Sequence, residues 1–243
     1  MPDDRMMTGS DVFTFHLAAM PATATLPRLF RAPQPTGISG LRYAECLSLM
    51  RLGAPTLSPD RMQLRRLAMF ARWDDEAAID GFLSGPGARF AEGWHVRMIF
   101  LRRWSRLTAL PDLPERSGTW DDAEPVVAVT LARMRIPEMP RFLSWGKPVE
   151  RLVRDHPDVT LALAAMRPPR SISTFSIWRS IAAMTAMVHG HSDVAEPAVH
   201  AEAMRERRRR DFHREFATYR FRPISEHGRW EGRGDYLPWR SNL

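Results

Sequence analysis

The chain has 243 residues, enough for one large domain or two small fused ones, and at 44% hydrophobic and 26% charged it has an ordinary soluble profile. No apolar run approaches the ~20 residues of a membrane span, and the acidic start Met1-Pro-Asp-Asp-Arg5 lacks the basic-then-apolar pattern of a signal peptide, so a cytoplasmic location is the expectation. Cys46 is the single cysteine, which excludes an intrachain disulfide and cysteine-built zinc or iron–sulfur sites; the formal charge of +7 rests on arginine, with Lys147 the only lysine.

Residues 1–10 read as a flexible tail. Val12–Leu17 is rich in β-branched and aromatic residues and reads as a strand. A short helix over Thr25–Arg31 is ended by Pro33 and Pro35. A second strand spans Gly40–Met50, a loop holds Pro55 and Ser58-Pro59-Asp60, and a third strand runs from Leu64 to Trp73. Asp74-Asp75-Glu76 places acid at the positive end of a helix that continues to Phe82. A short helix near Arg89–Ala91 and a strand over Trp94–Leu101 complete the series.

The Pro- and acid-rich stretch 110–125 reads as a linker, after which the order recurs. Val126–Leu131 answers Val12–Leu17, Met139–Leu143 answers Leu26–Phe30, Pro157–Arg167 answers Leu41–Arg51, and Phe175–Trp178 answers Phe70–Trp73. Tyr219–Arg222 answers the strand ending at Leu101. The fold class expected is α+β: two tandem ferredoxin-like βαββαβ halves, residues 11–109 and 126–223, forming a dimeric α+β barrel-type architecture within one chain, with 224–243 as a C-terminal tail. Two such halves facing each other predict a barrel-like core able to hold a large apolar guest.

Several motifs are missing. No Gly-x-Gly-x-x-Gly, phosphate-binding loop, Gly-x-Ser-x-Gly or His-Glu-x-x-His is present, which argues against dinucleotide folds, P-loop enzymes, nucleophile-elbow hydrolases and zinc proteases. The basic run Arg205–Arg210 has no interleaved aromatics, so nucleic-acid binding is not expected and a solvated helix face is the simpler reading.

Thr174-Phe-Ser-Ile-Trp178, Ala182-Ala-Met184, His200-Ala201 with Ala203 and Arg205, Glu215, Tyr219-Arg-Phe221 and Glu226–Gly232 together resemble the spheroidene monooxygenase family; Ala71–Trp73, Asp75–Ala77 and Phe100–Arg102 carry a weaker likeness in the first half. The resemblance implies a dimeric α+β barrel and a heme-dependent monooxygenase. Such an enzyme oxidises an apolar, carotenoid- or terpenoid-like substrate with molecular oxygen and electrons from an external ferredoxin-type donor. It implies His200 as the iron ligand. Arg205 and Arg208 are candidate partners for the heme propionates. The basic run, His213 and the longer connection holding His189-Gly-His191 depart from the family pattern.

Pro197, His200, Ala201 and Met204 share one helical stripe, and a lone histidine there is equally a helix-surface or core residue. His16 and His95 lie on strands, as distal-side groups or satisfied core histidines. His189-x-His191 sits in loop sequence, which argues against a metal pair. Trp73 and Trp178 read as core anchors, and Cys46 as a buried thiol without a thiolate-ligand motif. Alternative readings are an oxygen-independent heme enzyme of the same barrel class, such as a dehydratase acting on an N–O bond, and a non-enzymatic barrel binding heme or a small molecule. Peripheral membrane contact and homo-oligomer formation stay open.

Overall fold

The computed structural model describes residues 11–52, 61–194 and 197–238; the expected 1–10 tail and the loop at Pro55 and Ser58–Asp60 lie outside the described residues. The first half comprises β1 (Val12–Ala19), α1 (Ala22–Phe30), β2 (Leu41–Met50), β3 (Gln63–Trp73), α2 (Glu76–Ser84), α3 (Ala88–Ala91) and β4 (Trp94–Trp104). The second comprises β5 (Val126–Met134), α4 (Met139–Arg154), β6 (Val159–Arg167), β7 (Ser171–Trp178), α5 (Ile181–His189), α6 (Val199–Arg209) and β8 (His213–Gly228). The expected strands recur with shifted ends. Where a short Pro-Arg element was expected at 139–143, α4 runs for 16 residues, with its prolines near the N-terminus and at Pro148.

Each half has the ferredoxin-like strand order, β4-β1-β3-β2 and β8-β5-β7-β6. The antiparallel pairs β4–β8 and β2–β6 join the halves and close an eight-stranded barrel. Period-two alternation divides every strand between the barrel interior and an outer face under helices. On β1, Phe13, Phe15 and Leu17 point inward, and Val12 and Ala18 join the helix-side core.

The interior is filled by the protein itself. Phe15 of the first half stacks on Phe175 of the second with ring centroids 4.0 Å apart, and Phe13 meets Phe221 at 5.0 Å. Phe70, Trp94, Phe100 and Tyr219 belong to the same buried cluster. Such aromatic pairs contribute ~0.5–1.5 kcal/mol each beyond area burial. The expected hollow core for a large apolar guest is therefore corrected: the aromatic side chains occupy that volume.

The segments expected to be peripheral help to close the barrel. Leu110 and Leu113 of the 110–125 stretch are buried in the interior cluster, and Arg103 Nε donates to the Leu113 carbonyl at 2.8 Å. Beyond residue 224, β8 continues to Gly228, and Trp230, Tyr236 and Leu237 enter the same cluster. Glu226 accepts hydrogen bonds from Trp94 Nε1 and from the Tyr236 and Leu237 amides, each at 3.1 Å. The described part of 224–243 is thus not a loose tail: it extends β8 and places Trp230, Tyr236 and Leu237 in the barrel core while the residues between them stay exposed.

One ion triad ties the halves together from inside. Glu45 on β2, 2% exposed, accepts from Arg133 on β5 at 2.8 Å and from Arg167 on β6 at 2.9 Å, and Tyr43 Oη donates to it at 2.8 Å. Removing the carboxylate leaves two arginines in a low-dielectric wall, a change that costs ~3–5 kcal/mol in buried pairs. Glu45→Ala is expected to lower the unfolding free energy by about that amount in urea titration. An unchanged midpoint would show that the triad contributes nothing to closure.

Candidate functional site

The internal repeat allows the two outer faces to be compared residue by residue. Trp73 ends β3 as Trp178 ends β7, so Met69 and Thr174 occupy equivalent positions. Around Met69 the cross-strand neighbours are His16 on β1 and Cys46 on β2, and His95 on β4 lies beyond His16. All four are buried. Around Thr174 the neighbours are Thr130 on β5 and Ala164 on β6, with Thr218 on β8 beyond Thr130. Where the first half carries large groups, the second carries small ones.

The helix layers differ in the same sense. In the first half Phe82 of α2 and Phe90 of α3 descend onto His16, with ring centroids 6.4 and 5.6 Å away. One continuous cluster runs from Val12 to Phe90. In the second half two separate clusters remain. Trp178, Ile181, Met184 and Met187 form one, and Ala132, Met134, Ile172 and Phe212 form the other. Between them the outer face carries only small side chains, Thr130, Ala162, Ala164, Thr174 and Thr218, with Ala128 and Ser176 at the edge of the first cluster. Thr174 is exposed although its strand is paired on both sides. No residue of α4 is fully buried, and α6 packs mainly against α4 and α5 rather than on a strand. The helix layer meets the sheet at both ends, through Leu152, Val153 and α5 on one side and Met139 and Phe142 on the other, and leaves Thr174 uncovered between them.

His200 lies in the first turn of α6, half-buried, and its Nδ1 is 3.1 Å from the carbonyl oxygen of Val188 on α5. A carbonyl only accepts, so Nδ1 carries the hydrogen and Nε2 keeps its lone pair. Nε2 makes no hydrogen bond to a described residue. Burial lowers the His200 pKa below the ordinary value, opposed by the Val188 bond and reinforced by His189, which favours the neutral ring. This is the orientation in which a metal-binding histidine is held through its other nitrogen. Among the described residues no cluster of three or more His, Cys, Asp or Glu is placed to hold a metal.

Of the charged candidates, Arg205 and Arg208 are exposed and make no ion pair with a described residue. Arg207 was set aside in the sequence as surface charge. It lies two turns from His200, half-buried, with its guanidinium 3.7 Å from the ring centre of Phe216 on the outer face of β8. Arg220, paired across the strands with Ala128, is half-buried without an ion pair and sits 4.3 Å over Trp104. Burial and the neighbouring Arg102 lower its pKa to about 10. Aligning the repeat on Trp73 and Trp178 and comparing residue sizes would have exposed the small-residue floor. No sequence signal singled out Arg207 or Arg220.

Of the two readings of His16 and His95, the structure supports the core histidine, and Cys46 and the His189–His191 loop lie as read from the sequence. His16 does not line the barrel interior: it faces the first helix layer, and its Nε2 lies 2.9 Å from Thr14 Oγ1. His95 stacks on it with ring centroids 4.9 Å apart and is likewise on the outer face, away from the second half's floor. Cys46 is fully buried in the first outer layer, where burial pushes its thiol up to about 12, so it is no thiolate ligand. His189 and His191 flank Gly190, which ends α5 in the left-handed region (φ 76°), and no strand presents them together.

Two expectations follow from the asymmetry. Met69→Ala should cost ~2–5 kcal/mol, as for other buried methionines, whereas Thr174→Met should change stability by less than ~1 kcal/mol because it enters open space. Equal losses in urea titration would mean that the second face is as tightly packed as the first. The buried histidines also set an acid limit. Burial lowers the pKa of His16 far below 6.5 and that of His95 to about 4, so the unfolded chain binds more protons in this window. Stability should be fully present above the unfolded value and fall as pH drops from 6.5 toward 4; a flat urea midpoint over that window would contradict the assignment.

No family profile matches the chain. In sequence it is 27% identical over 246 residues to spheroidene monooxygenase of Rubrivivax gelatinosus, covering 94% of this chain and 88% of the relative. Among solved structures, a candidate monooxygenase of Fusobacterium nucleatum aligns over 95% of this chain and 99% of its own, with 7% identity and a TM-score of 0.39. The heme-degrading enzyme of Listeria monocytogenes aligns over 85% and 97%, with 9% identity and a TM-score of 0.26. At these scores the structural likeness is loose, and the sequence match is the informative one. The chain is similar to spheroidene monooxygenase along nearly its whole length, in keeping with the resemblance carried by Thr174–Trp178, His200-Ala201 and Tyr219–Phe221.

Proposed function

We propose that the chain is a heme-dependent monooxygenase acting on an apolar, carotenoid- or terpenoid-like substrate, and that the prosthetic group lies between the second outer face and α4–α6. The observation that carries this reading is the opening over Thr174, an exposed residue among small side chains on a sheet paired on both sides, with His200 half-buried on α6 and its Nε2 unbonded among the described residues. Ala162 and Ala164 present little bulk to a flat ring, and Thr130, Thr174 and Thr218 are the hydroxyl groups of that floor. The likeness to spheroidene monooxygenase supports the reaction class.

His200 would hold the iron through Nε2, with Val188 fixing the ring from the other side. Arg205 and Arg208 would meet the propionates at the solvent edge, and Arg207 is a further cation on that helix. When bound, heme supplies the activation of molecular oxygen. The protein's part is to hold that nitrogen, cover the floor from water and orient an apolar carbon. The overall balance is one oxygen atom into a C–H bond and the other into water, with two electrons and two protons supplied. No dinucleotide-binding glycine motif is present to deliver those electrons, so we assign them to an external ferredoxin-type donor. The exposed arginines of α6 suit the acidic surface of such a donor.

The test is the visible spectrum of the hemin-reconstituted protein beside His200→Ala. Wild type is expected to show a Soret band that shifts or fades in the variant, and to oxidise an apolar substrate only with oxygen and reductant. Because ligation needs the neutral ring and burial lowers the His200 pKa, the wild-type band should persist below the usual histidine value and be lost on further acidification. A Soret band unchanged by His200→Ala would move the ligand elsewhere, and no hemin binding at all would end the heme reading.

A further inference from the structure

One end of the barrel combines exposed apolar side chains with unpaired arginines. Leu26 and Phe30 lie four residues apart on α1 and are 42% and 67% exposed, and Ile136, just past β5, is 56% exposed. Phe30 is the most exposed of the large hydrophobic side chains among the described residues. These groups belong to one neighbourhood. Arg167 donates to the carbonyl of Leu29, next to Phe30, at 3.5 Å. The Met134 amide donates to the Arg170 carbonyl at 2.8 Å, and Arg135 Nε donates to the His213 carbonyl at 2.9 Å.

A cavity of about 450 Å³ opens there, lined by Arg133, Arg167, Arg170, Ser171, Arg214 and Glu215 together with Pro168 and Pro169. Glu45 neutralises part of the charge of Arg133 and Arg167 from within. Arg31, Arg135, Arg170 and Arg214 are exposed and have no carboxylate partner among the described residues. The acids nearby are otherwise engaged: Glu215 accepts from Thr108 at 2.7 Å, Asp211 is bonded to His213, and Glu138 is paired with Arg141 and Arg210. Apolar tips ringed by cations, beside a cavity that presents guanidinium groups, match the interface of a bilayer carrying phosphate head groups.

We propose that this end of the barrel docks on an anionic lipid surface, with Leu26, Phe30 and Ile136 entering the acyl boundary and Arg170 and Arg214 taking phosphate head groups. The inference is independent of heme binding. It would bring an apolar substrate dissolved in the bilayer to the protein without a membrane-spanning segment.

The experiment is flotation with vesicles of phosphatidylcholine alone and of phosphatidylcholine with a quarter phosphatidylglycerol. Three proteins are compared: wild type, Arg170→Glu/Arg214→Glu, and Leu26→Ser/Phe30→Ser/Ile136→Ser. All five positions are exposed, and circular dichroism checks that each variant is folded. Wild type is expected to float with the anionic vesicles, to dissociate as salt rises, and to leave neutral vesicles unbound. Charge reversal should weaken binding by at least about tenfold, given the contribution of each basic residue near an anionic surface. The serine variant should also lose binding. No flotation of wild type, equal binding to neutral vesicles, or binding untouched by either variant would overturn the proposal. Thermal stabilisation by inorganic phosphate without vesicle binding would overturn it too, and would assign the cavity to a soluble phosphate compound.

Discussion

Everything in this structure follows from how the barrel closes. Two four-stranded sheets meet along β4–β8 and β2–β6, and their facing side chains are large enough to fill the space between them. Phe15 against Phe175 and Phe13 against Phe221 join one half to the other, while Glu45 bridges β2 to β5 and β6. With the interior occupied by aromatic side chains, room for a large ligand lies outside the barrel core, at its ends or against an outer face. The covering segments around Leu113 and Tyr236 add to that filling.

The two outer faces have diverged in opposite directions. The first is a conventional sheet–helix core in which His16, Cys46, Met69 and His95 meet Phe82 and Phe90. It serves stability, at the cost of keeping buried imidazoles neutral. The second carries smaller side chains at the corresponding positions, a longer α4 with no fully buried residue, and an α6 of 11 residues where α3 has four, packed mainly on α4 and α5. A duplicated fold can carry this division of labour because each half retains its own strand order while stability is shared across the closed barrel.

Much of the architecture was legible in the sequence, and for identifiable reasons. Trp73 and Trp178 marked equivalent places in two copies, and the acid read at the start of the helix after Trp73 is where Asp75 caps α2, with Ser180 in the same role on α5. The strand order then followed from the ferredoxin-like pattern. Filling of the interior was not legible, because alternation shows which residues share a face but not whether opposite faces meet. His16 illustrates this: its strand was read correctly, but which face turned inward depended on closure. The segment after 224 was misread because its core residues Trp230, Tyr236 and Leu237 are spaced by turn geometry rather than by a helical or strand period. At the candidate site, only the family resemblance singled out His200, since its helical stripe suited a core or surface histidine equally, and Arg207 and Arg220 are placed only by Phe216 and Trp104 beneath them.

The proposal places a flat ligand over Thr174, where the helix layer of the second half leaves the sheet uncovered. Amide hydrogen exchange with and without hemin tests it most directly, because it reports where binding orders the backbone. The account predicts slowed exchange in α4, α5 and α6 and in the strands β6 and β7, with α1 to α3 unchanged. Slowing confined to the first-half helices, or spread evenly around the barrel, would contradict it.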